Sequence, residues 1–304
     1  MRFSITLSAL VSSVVAITTP PSGALTVGSG GTYSTIQKAI NALSTSSSST
    51  QKIFIYSGTY NEQVKIPALS GPLEVYGYSA SGSSYSGNKV TVQQSCSQLS
   101  CGTNNDGTAT ISNHAANTKF YNLNIKNTYG KGSQAVALSC YGTKQSYYGV
   151  ALYGYQDTLL SNEARHRVDR RDRLHVNGNG YVTASGRASD SDVSYYVINK
   201  SNVAADSGGG PTTGNVYLGR PWGEYARVCF QNTALSSIIN GAGWKIWNTG
   251  DERTGHVTFQ EYGNTGAGAS GTRASFSSKI SSALTISNIL GSDYASWVDT
   301  SYLS

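Results

Sequence analysis

Four short stretches of this 304-residue chain place reactive or hydrogen-bonding side chains at the ends of β-patterned segments. Gly154-Tyr155-Gln156-Asp157-Thr158-Leu159 closes one segment with an amide beside a carboxyl. Gln134-Ala135-Val136-Ala137-Leu138 begins another with a glutamine. Leu218-Gly219-Arg220-Pro221-Trp222 sets a guanidinium and an indole at a strand exit, and Gly58-Thr59-Tyr60-Asn61-Glu62 ends an early strand with a carboxylate. A carboxyl can pass a proton, amide and guanidinium N–H groups can hold a negative oxygen, and an indole offers a flat apolar face. Singly, each also has a plainer meaning: an Asp after a strand caps a turn, an Arg before Pro is solvated, and a surface Trp is a rim contact. No Cys-x-x-Cys spacing or nearby histidine pair suggests a metal, and none is expected.

A second feature follows at once. Up to Gln156 the chain is apolar and aromatic, but residues 163–175 carry five arginines, two histidines and two aspartates, Asp169 and Asp172, in a chain that is only 12% charged. Five arginines in so short a run have few apolar neighbours to fill an inward row, and each buried guanidinium needs a partner. Poor packing is therefore expected over 163–179.

The elements that position these stretches are short strands. Segments such as "KIFIYSG", "LEVYGY", "FYNLNIKN", "YYGVALYGY" and "NVYLGR" alternate apolar with polar and are separated by Gly, Ser or Asn turns. Two of them superimpose at an offset of 27: Tyr121 to Asn127 matches Tyr148 to Gly154, apolar residues in phase, with Asn or Gly at equivalent corners. A repeat of that length with one apolar row suits a solenoid, in which each coil buries its inward row against its neighbours. Regular strand spacing alone also fits a β-sandwich. Residues 34–43 have helical spacing (Ile36, Ala39, Ile40, Leu43) with Ser34 as cap, residues 44–50 read as a serine-rich loop, and residues 274–298 as amphipathic segments outside or capping an end. The 34 glycines and 21 tyrosines suit an extracellular β-rich protein.

Residues 1–17 read as a signal peptide, with one early positive charge, a short apolar run and Val14-Val15-Ala16 before an extended leader; the run is too short to span a bilayer. Secretion would make Asn199-Lys200-Ser201 a usable glycosylation sequon. Four cysteines, Cys96, Cys101, Cys140 and Cys229, allow three disulfide pairings; Cys96 and Cys101 share a loop and could close a small ring. The formal charge of +6 favours an acidic partner. No nucleic-acid motif accompanies it, which leaves a polyanionic carbohydrate.

Together and in order, the four stretches resemble the pectin methylesterases (pectinesterases), especially the secreted fungal ones. The resemblance extends from about Gly23 to Leu303 and includes "YYVINKS", "YLGRPW", "EYARVCFQ", "NTGAGA" and "ILGSDYASWVDTSY". It implies an all-β fold, a right-handed parallel β-helix with short helical segments at the ends, a single domain over residues 18–304 and a shallow cleft along one face. It implies hydrolysis of galacturonate C6 methyl esters in pectin, with methanol released and no metal or cofactor, by a secreted monomer that binds neither nucleic acid nor, after signal cleavage, membrane. Carried over position by position, Asp157 resembles the general acid/base that protonates methanol. Gln156 and Gln134 resemble the amide donors to the tetrahedral oxyanion, Arg220 the guanidinium that binds substrate and orients the nucleophilic carboxylate, and Trp222 a platform for a sugar ring.

The chain departs from the family at one place. The family's nucleophilic aspartate stands in an Asp-Phe-x-Phe-Gly motif, and this sequence has no Asp-Phe. Residues 162–180 stand there instead, about one coil short, so the domain is expected to be disrupted or shortened around them. With CGN arginine and CTN leucine codons, reading residues 170–175 from the second base permits Gly-Ala-Thr-Asp-Phe-Met, close to the family's stretch, as a shifted reading frame would give. The alternative function is a catalytically impaired pectin-binding homologue. Polygalacturonases and pectate lyases share fold and substrate, but need clustered aspartates or a calcium site that the sequence does not show.

Overall fold

The computed structural model describes residues 16–82, 84–101, 104–155, 158–161, 166–168, 173–176, 178–205 and 210–303. Among them, every pairing between strands is parallel, and the strands form three long faces. The first contains Leu25–Val27, Gln51–Ile55, Leu73–Gly77, Thr118–Tyr121, Gln145–Tyr148 and His166–Val168. Beside its last strand lies a four-stranded sheet, Tyr196–Asn199, Arg227–Gln231, Thr258–Tyr262 and Ser277–Lys279. The second runs from Gly58–Asn61 through Val90–Gln94, Asn124–Asn127, Ala151–Gly154, Arg173–Val176 and Asn202–Ala205 to Ala234–Leu235. The third comprises Val64–Ile66, Ile111–Asn113, Leu138–Cys140, Leu159–Ser161, Gly180–Ser185 and Val216–Pro221. One strand from each face, taken in chain order, makes a coil, and the coils stack as a right-handed parallel β-helix.

The repeat read at an offset of 27 is the pairing of two adjacent coils: Tyr121 is in register with Tyr148, and Ile125 with Leu152. Inward residues stack in rows. Ile53, Val75, Phe120 and Tyr147 are register partners in the first face, and Val92, Ile125 and Leu152 in the second; all are buried. At the corner between these faces Asn122 and Gly149, one coil apart, both adopt left-handed backbone (φ 56° and 59°), a conformation that favours Asn and Gly.

The basic stretch contributes strands to this stack. Val168 is in backbone register with Tyr147, and Leu174 with both Leu152 and Val203, so the chain completes a turn between its third-face strands Leu159–Ser161 and Gly180–Ser185. Val176 is buried in the core, and Gly178 lies so close to the Tyr155 ring that a side chain there would collide with it. Residues 162–165, 169–172 and 177, and the side chains of 161–175, lie outside the described residues, so the packing expected of the arginines falls there.

The ends are closed by other means. The helix is Ile36–Asn41, shorter than its apolar spacing suggests, and its cap is Thr35 rather than Ser34: the Thr35 hydroxyl accepts from the Lys38 amide, while Ser34 accepts from the Lys38 ammonium. Glu62 accepts the first helical amides, those of Ile36 and Gln37, at 2.9 Å each. The Gly58–Glu62 stretch is thus structural, a carboxylate at a helix start. The C-terminal segment folds back along the outside of the first face, as its amphipathic pattern suggests. It covers a stacked row of Tyr76, Tyr121 and Tyr148, with the Tyr302 hydroxyl donating to the Gly82 carbonyl. Cys96 and Cys101 form a disulfide, whereas Cys140 and Cys229 are buried free thiols, which selects among the pairings left open by the sequence.

Near the C-terminal end, Glu261 and Arg273 form a buried pair at 2.7 Å. The same guanidinium donates to the Gly241, Gly268 and Ser270 carbonyls and so ties two turns to the strand that carries Glu261. Removing one partner strands the other charge. Glu261→Ala is expected to cost about 3–5 kcal/mol, and Glu261→Leu combined with Arg273→Met markedly less; urea denaturation of the purified variants measures both.

Candidate active site

Of the residues singled out by the sequence, Arg220 stands on the third face and Gln134 in a loop that leads into it. Gln134 lies in the loop 128–137 that leads into Leu138–Cys140, and its carbonyl accepts from the Gln98 amide at 3.2 Å. The residues after it, Ala135, Val136 and Ala137, are buried. The Ala137 and Leu138 amides both donate to the Thr158 carbonyl, at 3.1 and 3.2 Å. The Gln134 loop therefore abuts the residue that follows Asp157 in the chain. Gln156 and Asp157 lie outside the described residues, as do Asp169 and Asp172. The strands flanking the Gln-Asp pair are Ala151–Gly154 of the second face and Leu159–Ser161 of the third.

Arg220 stands on Val216–Pro221, three strands from Leu138–Cys140 in the same face and so about 14 Å away across the sheet. Its guanidinium is sandwiched between Tyr181 and Trp247, 4.2 Å from each ring centroid. Its Nε is buried and has no hydrogen-bond partner among the described residues. Aromatic faces hold a cation without consuming its N–H groups. Nε therefore keeps an N–H with no partner among the described residues, and the planar fork of a guanidinium suits a carboxylate.

Trp222, 36% exposed, follows at the strand exit. Its ring lies over Gly186, where a Cβ would meet it at 2.6 Å. The Trp222 carbonyl accepts from Arg253, which also stacks on Trp247 at 5.0 Å and pairs with Asp251 at 2.8 Å. One coil beyond, Lys245 stands over Tyr217 at 5.3 Å, and Tyr217 stacks on Tyr181. The structure therefore brings Arg220 and Trp222 together, with Tyr181, Trp247, Lys245 and Arg253, which sequence reasoning missed. Of the chain's four tryptophans, Trp244 and Trp247 are three apart, and that spacing was the available signal.

A separate polar cluster fixes the loop in front of Gln134. Asp106 accepts from Ser112 at 2.7 Å, and His114 Nε2 lies 3.1 Å from its other oxygen. Burial pushes the Asp106 carboxyl up, but hydrogen bonds from Ser139, Ser112 and His114 outweigh it and hold the group below the usual Asp range.

The sequence profile of the Pectinesterase family matches residues 25–168 and 168–285. The chain belongs to the pectinesterase family. It is a carboxylic ester hydrolase of pectin. It is 49% identical to a pectinesterase of Aspergillus aculeatus over 310 residues and 47% identical to one of Aspergillus niger over 312, with 94% of each chain covered in both cases. The crystal structure of the deglycosylated pectin methylesterase from Aspergillus niger superposes with a TM-score of 0.84 at 37% identity, covering 94% of this chain and 100% of that one. The pectinesterase profile breaks and resumes at Val168, inside the basic stretch. Moreover, the 310-residue alignment is longer than the 94% of this 304-residue chain that enters it, by roughly one coil.

Two outcomes follow for this pectinesterase. Trp247→Leu removes one face of the Arg220 sandwich and is expected to lower kcat/KM about fivefold, the equivalent of about 1 kcal/mol, in an ester-hydrolysis assay. Asp106→Asn is expected to cost about 2 kcal/mol near neutral pH. Because the folded carboxyl titrates below its unfolded value, its contribution is present above the ordinary Asp range and lost as pH falls through the depressed folded value. The gap between variant and wild type should accordingly narrow as pH falls below the ordinary Asp range in denaturation measurements.

Proposed function

We propose that this pectinesterase removes methyl groups from the C6 esters of galacturonate units in pectin and releases methanol, acting as a secreted monomer. Attack of a carboxylate, for which Asp169 and Asp172 are the candidates, on the ester carbon gives a tetrahedral oxyanion that the amide N–H groups of Gln134 and Gln156 stabilise. Its collapse expels methoxide and leaves an acyl-enzyme that water then hydrolyses to the free acid. Asp157 supplies the proton that the departing methoxide needs to leave as methanol. Arg220 orients the attacking carboxylate through its guanidinium N–H groups, and Trp222 carries a sugar ring on its exposed face. The observation that carries this reading is the Arg220 guanidinium, held between two aromatic rings with Nε unpartnered among the described residues, beside an exposed tryptophan. The formal charge of +6 suits an acidic polysaccharide. Residues 1–17 serve as the signal peptide, and Asn199 becomes available for glycosylation on secretion. Residues 18–304 act as one domain, shortened around 162–180.

No aspartate of this chain matches the family's nucleophile. Asp169 and Asp172 are the nearest aspartates in sequence to that position, and each is tested by its Asn variant. Purified protein is expected to release methanol from methylated pectin, and Asp157→Asn to abolish the release. Replacing residues 162–180 with a coil that carries Gly-Ala-x-Asp-Phe is expected to raise turnover, because it supplies a second carboxylate for the attack. Pectin binding without methanol release would identify the catalytically impaired homologue instead. Unsaturated or new reducing ends would point to a depolymerase.

A further inference from the structure

Gln134 lies in a loop with no strand of its own, so whatever holds the loop sets the direction in which that amide points. Besides the Ala137 bond to Thr158, the loop is held from the side of the preceding coil. The Gln98 amide donates to the Gln134 carbonyl at 3.2 Å, and Gln98 lies inside the ring closed by Cys96–Cys101. Two residues on, the Val136 amide donates to Thr108 Oγ1 at 3.1 Å. The Val136 carbonyl accepts from Asn127 Nδ2 at 2.9 Å. Asn127 is 1% exposed, and the same nitrogen also donates to the Cys96 carbonyl at 2.8 Å and the Thr108 carbonyl at 3.0 Å. Its oxygen accepts from the Tyr129 amide at 3.2 Å. One buried carboxamide therefore joins the disulfide ring, the Thr108 turn and the Gln134 loop.

We propose that the Cys96–Cys101 ring, seated on Asn127, is the positioning device for Gln134, and that opening the ring lowers turnover while leaving substrate affinity nearly unchanged. The proposal rests on Gln134 acting as an oxyanion donor. The ring keeps its turn compact through the Cys101 amide bonded to the Ser97 carbonyl at 3.1 Å and the Ser97 amide bonded to Ser100 Oγ at 2.9 Å. Without the covalent closure, only hydrogen bonds hold the segment that presents the Gln98 N–H. A donor aimed at developing charge matters chiefly in the transition state, and displacement by about 1 Å is enough to cost much of its effect. Cys101 is exposed, so a reductant can reach the bond. The two remaining cysteines stay out of the exchange: both are buried, and burial pushes their thiols up to about 12.

The test uses the whole protein with methyl-esterified pectin. The Cys96→Ser/Cys101→Ser variant is expected to lose about tenfold in kcat with KM within about twofold. Hydrogen exchange should accelerate at the Val136 amide but not at Leu138–Cys140. Should that variant fold poorly, reduction of the wild type with dithiothreitol gives the same readouts, and reoxidation should restore kcat. Combining the open ring with Gln134→Ala should cost no more than Gln134→Ala alone. Multiplying losses, or an open ring that leaves kcat and Val136 exchange unchanged, would overturn the proposal. If Gln134→Ala leaves kcat unchanged with the ring closed, the reading of Gln134 itself falls, which is a distinct result.

Discussion

Parallel pairing of one coil on the next is the constraint on which the rest of this molecule depends. A single coil carries one row of apolar side chains on three short strands and has no partner for them within itself; Ile53 is covered because Val75 lies in register above it, and Val75 because Phe120 follows. The hydrogen bonds that satisfy each strand come from the same neighbours. Burial and backbone pairing are thus set by one register, and a slip in it would turn the inward row outward. Side chains that leave equivalent strand ends are consequently placed at fixed intervals along a rigid face. That arrangement suits a site assembled from several distant parts of the chain.

On that face the charge is arranged to stay available. Arg220 could have been neutralised by an acidic neighbour, as Arg253 is by Asp251 and Arg273 by Glu261. Among the described residues, Tyr181 and Trp247 hold it instead, through the faces of their rings. The two kinds of arginine differ in what their N–H edges are doing: in the structural pairs the edge is saturated, and at Arg220 Nε has no partner among the described residues. Glu62 makes the complementary point among the carboxylates. It ends a stretch that looks chemical in sequence, yet both of its oxygens are occupied by helix amides.

The legible parts of the fold are those that repeat locally. The offset of 27 appears in the sequence because two coils have equal length and matching corners, at Asn122 and Gly149. Coils of unequal length hide the same relation: Tyr147 pairs with Val168 only 21 residues on, whereas Tyr181 pairs with Tyr217 after 36. The Tyr181–Arg220–Trp247 sandwich crosses such unequal intervals, so no fixed period reveals it. Tyr181 was thus hidden and Trp247 marked only by its spacing from Trp244, while Arg220 and Trp222, two apart at one strand exit, were visible. The helix cap went to Thr35 instead of Ser34 because capping is decided by which hydroxyl meets the third amide on, a one-residue matter that apolar spacing does not resolve.

The C-terminal segment gives the solenoid something its coils lack. Contacts between coils reach only to the next turn, so a helix of this kind could fray from either end by small steps. The Tyr148 hydroxyl, however, accepts from the Asp299 amide, 151 residues away, and Tyr302 bonds to Gly82 across 220. Those bonds cannot form until the middle coils exist, and on the ribosome Asp299 and Tyr302 emerge after them. The segment therefore acts as a latch in time as well as in space. It closes over a stack that is already built and couples its early and late turns into one cooperative unit, and it makes the completed chain slower to open than its local contacts alone would.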